Sequence, residues 1–172
     1  DFMSRNRIIL VTIGIMLSLF LASMESTVVA TAMPTIVGQL GGLEHYSWVF
    51  SEFMLASTTT VPLYGKLSDI YGRRIIILAA LVFMLLGAFL SAASQTFFML
   101  IGALCILGFG MGAIQPLCFS VLADMFAPTE RGQWAGLLNL SSGATALIGP
   151  TLGGGFVDNL SWHYIFWLDM VF

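Results

Sequence analysis

Long uninterrupted apolar runs, separated by short polar breaks, dominate this chain of 172 residues. A helix needs about 20 mostly apolar residues to cross the hydrocarbon core of a bilayer. Strands of a membrane barrel would instead alternate polar and apolar positions. The runs therefore predict membrane-spanning helices. Their predicted bounds are 8–32, 46–67, 75–94, 97–123 and 134–157, followed by the start of a sixth at 162–172.

Turn-forming residues separate these segments. We expect the first helix to end at Pro34 and the glycine-rich stretch 38–42, and the second at Ser68-Asp69 and residues 72–74. Further breaks are predicted at 94–96, 127–132 and 158–161. Because the chain begins with Asp1 and ends within an apolar run, we expect it to be a fragment of a longer protein.

Composition supports a membrane protein, since 58% of the residues are hydrophobic and only 9% are charged. A soluble domain typically has about 25% charged residues. The lipid bilayer is therefore the expected partner, and six scattered basic residues form no patch that would bind nucleic acid. The sequence contains no cluster of metal ligands and no nucleophile–base pair, so neither an enzyme nor a cofactor is expected.

The positions of the basic residues predict an orientation. With the segments above, all six fall on one side of the membrane, and the connections on the other side carry Glu44, His45 and Asp158. Basic loops face the cytoplasm. This predicts a multi-pass protein of the plasma membrane with a cytoplasmic N-terminus. The six basic residues are Arg5, Arg7, Lys66, Arg73, Arg74 and Arg131.

Two acidic residues lie within predicted spans, Glu25 in the first and Glu52 in the second. An ionisable group at membrane depth costs about 2.5–3.5 kcal/mol on insertion scales and marks a functional site. Because burial disfavours the charged carboxylate, either residue is a candidate proton carrier, with Glu25 the stronger one. Both are at a similar depth, so they could share an outward-facing cavity; alternatively, each is hydrogen-bonded to a neighbouring helix or reaches the outer surface.

Charges and glycines also occur together in the connection GKLSDIYGRR, residues 65–74. Asp69 and Arg73 are spaced to pair on one helical turn. Gly108 and Gly112 in the fourth segment, and Gly149 and Gly153 in the fifth, have the spacing that lets two helices pack closely.

Several motifs resemble those of the major facilitator superfamily. GKLSDIYGRR resembles the signature between spans 2 and 3, and ALIGPTLGG resembles the antiporter signature of span 5. ESTVVATAMP resembles the acid-x-Thr-Val-Val pattern of 14-span drug:proton antiporters, with Glu25 in place of the usual Asp. SWHYIFWLD resembles the entry to span 6 in the same branch. The matching residues are Gly65, Asp69, Gly72, Arg73 and Arg74, then Gly149, Pro150, Gly153 and Gly154, then Thr27 and Pro34.

This resemblance implies a 12- or 14-helix transporter, of which this chain forms most of the N-terminal six-helix bundle. It implies export of hydrophobic or cationic drugs in exchange for protons. It also implies that Asp69 and Arg73 stabilise one conformation, and that Gly149 and Pro150 shape span 5. One departure is Leu104, at the position where span 4 of the family normally has an Arg. Two alternatives stay open: a facilitator or importer of a polar solute, and a membrane scaffold or sensor without transport.

Overall fold

The computed structural model describes residues 5–171, except for the side chains of 156–157 and 168–170. These residues form six α-helices and no strand. A short 3₁₀ turn at Leu43–His45 precedes the second helix. The fold is therefore the predicted all-α bundle. The helices are α1 (Arg5–Leu40), α2 (Tyr46–Tyr71), α3 (Arg73–Ala92), α4 (Phe97–Met125), α5 (Arg131–Asn159) and α6 (His163–Val171).

Three of these helices, α1, α3 and α4, are long and apolar enough to cross a membrane by length and composition. The α2 and α5 helices carry more polar residues and are less apolar on average. Their polar residues include several serines and threonines that line a cavity inside the bundle.

The prediction that Pro34 ends the first helix is wrong. Pro34 lies inside α1, which continues to Leu40. Proline removes one backbone donor, and helices within a bilayer tolerate this loss because neighbouring groups compensate. The helix ends where Gly41 and Gly42 take positive φ angles of 76° and 99°. These angles favour glycine, since a Cβ atom would clash with the backbone there.

The predicted break at Ser68-Asp69 is also wrong, because α2 continues to Tyr71. The Ser68 hydroxyl donates to the carbonyl of Gly65 at 2.7 Å, which holds the side chain against its own helix. The chain turns instead at Gly72, which has a φ of 90°. The Gly72 amide donates to the Ser68 carbonyl and closes the last turn.

Helix packing brings all the basic residues to one end of the bundle. Thr27 and Thr31 of α1 lie against Gly149 and Gly153 of α5 in the same order, so these helices run parallel. Arg5 and Arg7 therefore lie at the same end as Arg131. The turn at Gly72 and the start of α3 lie beside the end of α4. We call this the basic end.

Hydrogen bonds between distant segments join the elements at the opposite end. Trp162 donates from Nε1 to Oε1 of Gln39 at 3.0 Å, and so connects α6 to the end of α1. His163 Nε2 lies 3.2 Å from the carbonyl oxygen of Ser94, in the turn between α3 and α4. The main hydrophobic core lies between these ends, and its largest fully buried aliphatic side chains include Met33, Ile36, Leu100, Leu104 and Leu107.

Candidate functional site

Glu25 is the only fully buried carboxylate among the described residues, with a relative exposure of 1%. Neither of its carboxylate oxygens has a hydrogen-bond partner within the described part of the chain. An unpaired polar group in such a place costs about 1–3 kcal/mol, and a charged group costs more. Burial without a partner is therefore costly for this carboxyl group.

Glu25 is one of the residues that line a small cavity of about 70 Å³. Apart from Glu25 and Ser26, the residues around it are apolar and come from α1, α2 and α4. Leu104 and Leu107 of α4 cover one side and are 2% and 0% exposed. The surroundings are therefore of low polarity. The remaining lining residues are Val29, Ala30, Val49, Phe50 and Phe53.

A second, wider cavity of about 740 Å³ adjoins the first and shares Ser26 and Phe53 with it. Its lining residues come from α1, α2, α4 and α5, and none of them is charged. The wall of this cavity can therefore form hydrogen bonds with a solute without contributing a charge. Its polar lining residues are Ser23, Ser26, Thr27, Ser57, Thr58, Gln115, Ser142 and Thr145.

Glu52 has different surroundings from Glu25. It is partly exposed and lines neither of these two cavities. Its Oε2 atom accepts a hydrogen bond from Sγ of Cys105 on α4, at 3.7 Å. Neither of these two cavities is therefore shared by the two glutamates, and Glu52 follows the alternative of a hydrogen bond to a neighbouring helix. Residues 49, 50 and 53 of α2 line the Glu25 cavity. Position 52 points in a different direction around the helix, so Glu52 contacts Cys105 rather than lining this cavity.

Glycines bring α5 against the helix that carries Glu25. A Cβ atom on Gly149 would lie 2.6 Å from Cγ2 of Thr27, and one on Gly153 would lie 3.2 Å from Cβ of Thr31. Both threonine hydroxyls donate to carbonyls of their own helix, at 2.8 and 2.9 Å. Gly154 has no neighbouring atom within 4 Å of such a Cβ. Only two of the three motif glycines therefore support the contact between α1 and α5.

A similar glycine contact joins α2 and α4. A Cβ atom on Gly108 would lie 3.1 Å from the carbonyl oxygen of Phe53, and one on Gly112 would lie 2.5 Å from Oγ1 of Thr60. Small residues at this spacing let helices in membranes pack backbone to backbone. These positions directly follow the Glu52–Cys105 contact along α4. They hold α2 in the position from which Phe53 reaches both cavities.

At the basic end, Arg73 forms an ion pair with Asp124 at the end of α4. Its guanidinium also donates to the carbonyl of Ser120 at 2.8 Å. The predicted pairing of Asp69 with Arg73 on one helical turn is wrong, because Gly72 ends α2 between them. Asp69 is exposed on the last turns of α2. Gly65 has no close neighbour, and Arg74 is also exposed.

Sequence reasoning missed Asp124 and the α4 and α5 residues of the wide cavity. Asp124 was visible as an acid, together with Asp69 and Glu130, at the side that holds all the basic residues. The polar residues Gln115, Ser142 and Thr145 had no signal in the sequence, because Gln115 and Thr145 are isolated between apolar neighbours and Ser142 only has Ser141 and Gly143 beside it. Their role as lining residues depends on how α4 and α5 are rotated within the bundle.

A helical bundle with an unpaired buried carboxyl group and a polar cavity is typical of one class of protein, the secondary transporters of the membrane. The comparisons with known proteins agree with this class and name the family. The family model described as Major Facilitator Superfamily matches residues 15–172. The chain therefore belongs to the major facilitator superfamily.

Individual relatives match over nearly the whole chain. "Multidrug resistance protein 3" of Bacillus subtilis (strain 168) is 38% identical over 93% of this chain and 31% of its own length. "Efflux pump FUS6" of Gibberella fujikuroi is 34% identical over 94% of this chain and 29% of its own length. The chain thus spans a little under a third of the length of these relatives.

A solved structure supports the fold. The human organic anion transporter MFSD10 (TETRAN) matches with a TM-score of 0.78 at 20% identity, over 94% of this chain and 44% of that chain. At this identity the match supports the transporter fold alone.

Proposed function

We propose that the protein containing this chain exports hydrophobic or cationic compounds in exchange for protons, as an antiporter of the 14-span branch. It acts in the plasma membrane, with its N-terminus in the cytoplasm. The names of the multidrug and efflux relatives support the direction and the substrate class. The positive-inside rule supports the orientation, since all six basic residues lie at one end.

The single observation that carries the proposal is the burial of Glu25 without a hydrogen-bond partner among the described residues. A carboxyl group that is 1% exposed and has two unpaired oxygens is stable there chiefly as the neutral acid. It would ionise when the bundle opens and water reaches it. A group with this behaviour picks up a proton on one side of the membrane and releases it on the other. Glu25 is therefore the proposed proton carrier.

Glu52 is a weaker second candidate for proton coupling. It is partly exposed and already has a partner in Cys105, so opening of the bundle would change its surroundings less. A thiol is a weak hydrogen-bond donor, and it stabilises a carboxylate only modestly. We expect Glu52 to adjust the rate of transport rather than to couple it.

We propose that the motif of residues 65–74, at the basic end, favours one conformation of the transporter. Arg73 joins the start of α3 to the end of α4 through Asp124 and the Ser120 carbonyl, so the two helix ends move together. The exposed Asp69 is free to contact a part of the protein outside this bundle. In α5, Gly149 and Pro150 allow the close approach to α1 and a bend in the helix.

The proposal is tested with the full-length protein in proteoliposomes that carry a pH gradient. We expect Glu25→Gln to abolish the dependence of dye efflux on the gradient, because an amide cannot release a proton. Glu25→Asp is the matched control and should keep the dependence. Equal, equally gradient-dependent efflux by Glu25→Gln and the parent would contradict the proposal.

One observation favours a second candidate, a facilitator or importer of a polar solute. The wide cavity is lined by eight hydroxyl- or amide-bearing residues and by no charged residue, which suits a neutral solute. This candidate predicts that a pH gradient has no effect on the transport of such a solute. Uptake of a radiolabelled neutral polyol into the same proteoliposomes, with and without the gradient, separates the two functions.

A further inference from the structure

Proline interrupts three of the helices that line the wide cavity. Pro62 lies inside α2, Pro116 inside α4 and Pro150 inside α5. Proline has no backbone N–H group, so the carbonyl four residues earlier in each helix loses its hydrogen-bond donor. This loss follows from the covalent structure of each helix and does not depend on any other part of the protein.

The three carbonyls that lose their donors belong to Thr58, Gly112 and Ala146. All three residues line the wide cavity. Gly112 has no side chain, so backbone atoms make its contact with the cavity. Measured along α2, α4 and α5, the three residues lie about 20–22 Å from the helix ends at the basic end. The carbonyls without donors therefore occur at one level of a single cavity.

Several hydroxyl groups of the same wall also act as acceptors rather than donors. The hydroxyls of Thr27, Ser57 and Thr145 donate to carbonyls of their own helices, at 2.8, 3.1 and 2.5 Å. A hydroxyl that has donated its hydrogen can still accept a hydrogen bond. Together with the three carbonyls, these groups make the wall rich in acceptors. A ligand that donates hydrogen bonds therefore complements this cavity.

An unpaired backbone carbonyl is costly within a bilayer, where it needs a donor from a neighbouring group, from water or from a ligand. A ligand with N–H groups can displace water from the cavity and still pair with the carbonyls. A ligand whose nitrogen atoms carry only alkyl groups displaces the water and leaves the carbonyls without donors. The difference between two such ligands depends on hydrogen bonds and not on charge.

We propose that the wide cavity selects substrates whose nitrogen atoms carry N–H groups, and that the carbonyls of Thr58, Gly112 and Ala146 accept hydrogen bonds from these groups. The inference rests on the proposed export function and adds a substrate class. Primary and secondary amines belong to this class, and fully alkylated amines do not. The three prolines are specificity-determining residues, because they keep the carbonyls available to the substrate.

The first test compares two dyes that differ in their N–H groups. Rhodamine 123 and tetramethylrhodamine methyl ester share a xanthene core, a methyl ester and one positive charge, but only rhodamine 123 has N–H groups. Each dye is titrated with the purified full-length protein in detergent, and fluorescence anisotropy measures binding. After correction for partition into empty micelles, we expect the tetramethyl dye to bind at least about fivefold more weakly. Equal or tighter binding of the tetramethyl dye would overturn the inference.

The second test returns a donor to one carbonyl. Pro116→Ala restores a backbone N–H group that pairs with the carbonyl of Gly112, so the ligand loses this acceptor. We expect the preference for rhodamine 123 to fall about fivefold, while binding of the tetramethyl dye stays within about twofold of the parent. Pro34→Ala is the matched control. Its restored donor pairs with the carbonyl of Ala30, which lines the small cavity, so the preference should not change.

A variant in α2 provides an independent measurement. Pro62→Ala returns a donor to the carbonyl of Thr58 and should lower the preference in the same direction. If a variant that elutes from gel filtration as the parent does keeps the parent's preference, the inference is wrong, and another part of the protein already donates to these carbonyls. The dye comparison with the parent decides the matter if neither variant folds. The proposed function fails instead if Glu25→Gln still couples efflux to the pH gradient, a result that leaves the dye preference unaffected.

Discussion

Glu25 and Glu52 are both carboxyl groups at a similar depth along their helices, yet their surroundings differ. Glu25 is buried in an apolar cavity, and its two oxygens have no partner among the described residues. Glu52 is partly exposed and accepts a hydrogen bond from Cys105. The difference teaches that depth in the membrane does not decide whether a carboxyl group is buried without a partner. The neighbouring helices decide which carboxyl group is left unpaired.

The largest expected effect is on stability at Glu25. Replacing an unpaired buried polar group by an apolar one of similar shape removes its desolvation cost. We therefore expect Glu25→Met to raise the free energy of unfolding by about 2 kcal/mol while abolishing coupled transport. Thermal unfolding in detergent measures the change. Glu52→Met is the control, with a change within about 0.5 kcal/mol, and equal shifts in both variants would remove the distinction between the two sites.

The next effect concerns the packing of the helix that carries Glu25. A methyl group on Gly149 would lie 2.6 Å from Cγ2 of Thr27, two residues from Glu25. We expect Gly149→Ala to lower the free energy of unfolding by about 1 kcal/mol or more, because overpacking displaces α1. Gly154→Ala meets no atom within 4 Å and should be neutral or stabilising. If both variants lose the same stability, the contact between α1 and α5 does not depend on Gly149.

A third carboxyl group, Asp124, shows what a partner contributes when both groups meet solvent. Arg73 and Asp124 are 31% and 61% exposed, so their ion pair is screened. We expect Asp124→Asn to lower the free energy of unfolding by about 0.2–1 kcal/mol, with a smaller effect at high salt. Asp69→Asn, which removes an exposed acid of the same motif, is the control and should have no effect on the isolated bundle's stability. A loss that does not depend on salt would argue against an ion pair.

The smallest effect is expected at the partner of Glu52. Cys105→Ser keeps a donor near the carboxyl group, since a hydroxyl can replace the thiol in the hydrogen bond. The free energy of unfolding should change by less than about 0.5 kcal/mol. The rate of gradient-driven efflux should stay within about twofold of the parent's rate. Loss of coupling in Cys105→Ser, measured in the same proteoliposomes, would place Glu52 on the proton path and make the two carboxyl groups equivalent.

Much of the candidate site could be predicted from single residues. Glu25 is conspicuous in the sequence because an acid within an apolar run is costly in a membrane. The glycine pairs in α4 and α5 were visible from their spacing alone. The partner of Arg73 was not predictable, since the positive φ of Gly72 separates it from Asp69 and brings it to Asp124. The different surroundings of the two glutamates depend on the rotation of α2.

The sequence by itself determined that this protein is an all-α membrane bundle with its basic residues at one end. Those properties follow from the length of apolar runs and the order of charges, and both are local along the chain. Only the tertiary structure decided that Glu25 faces Leu104 and Leu107 without a partner, and that Glu52 faces Cys105. Such contacts depend on the rotation and register of packed helices, which local sequence patterns do not specify.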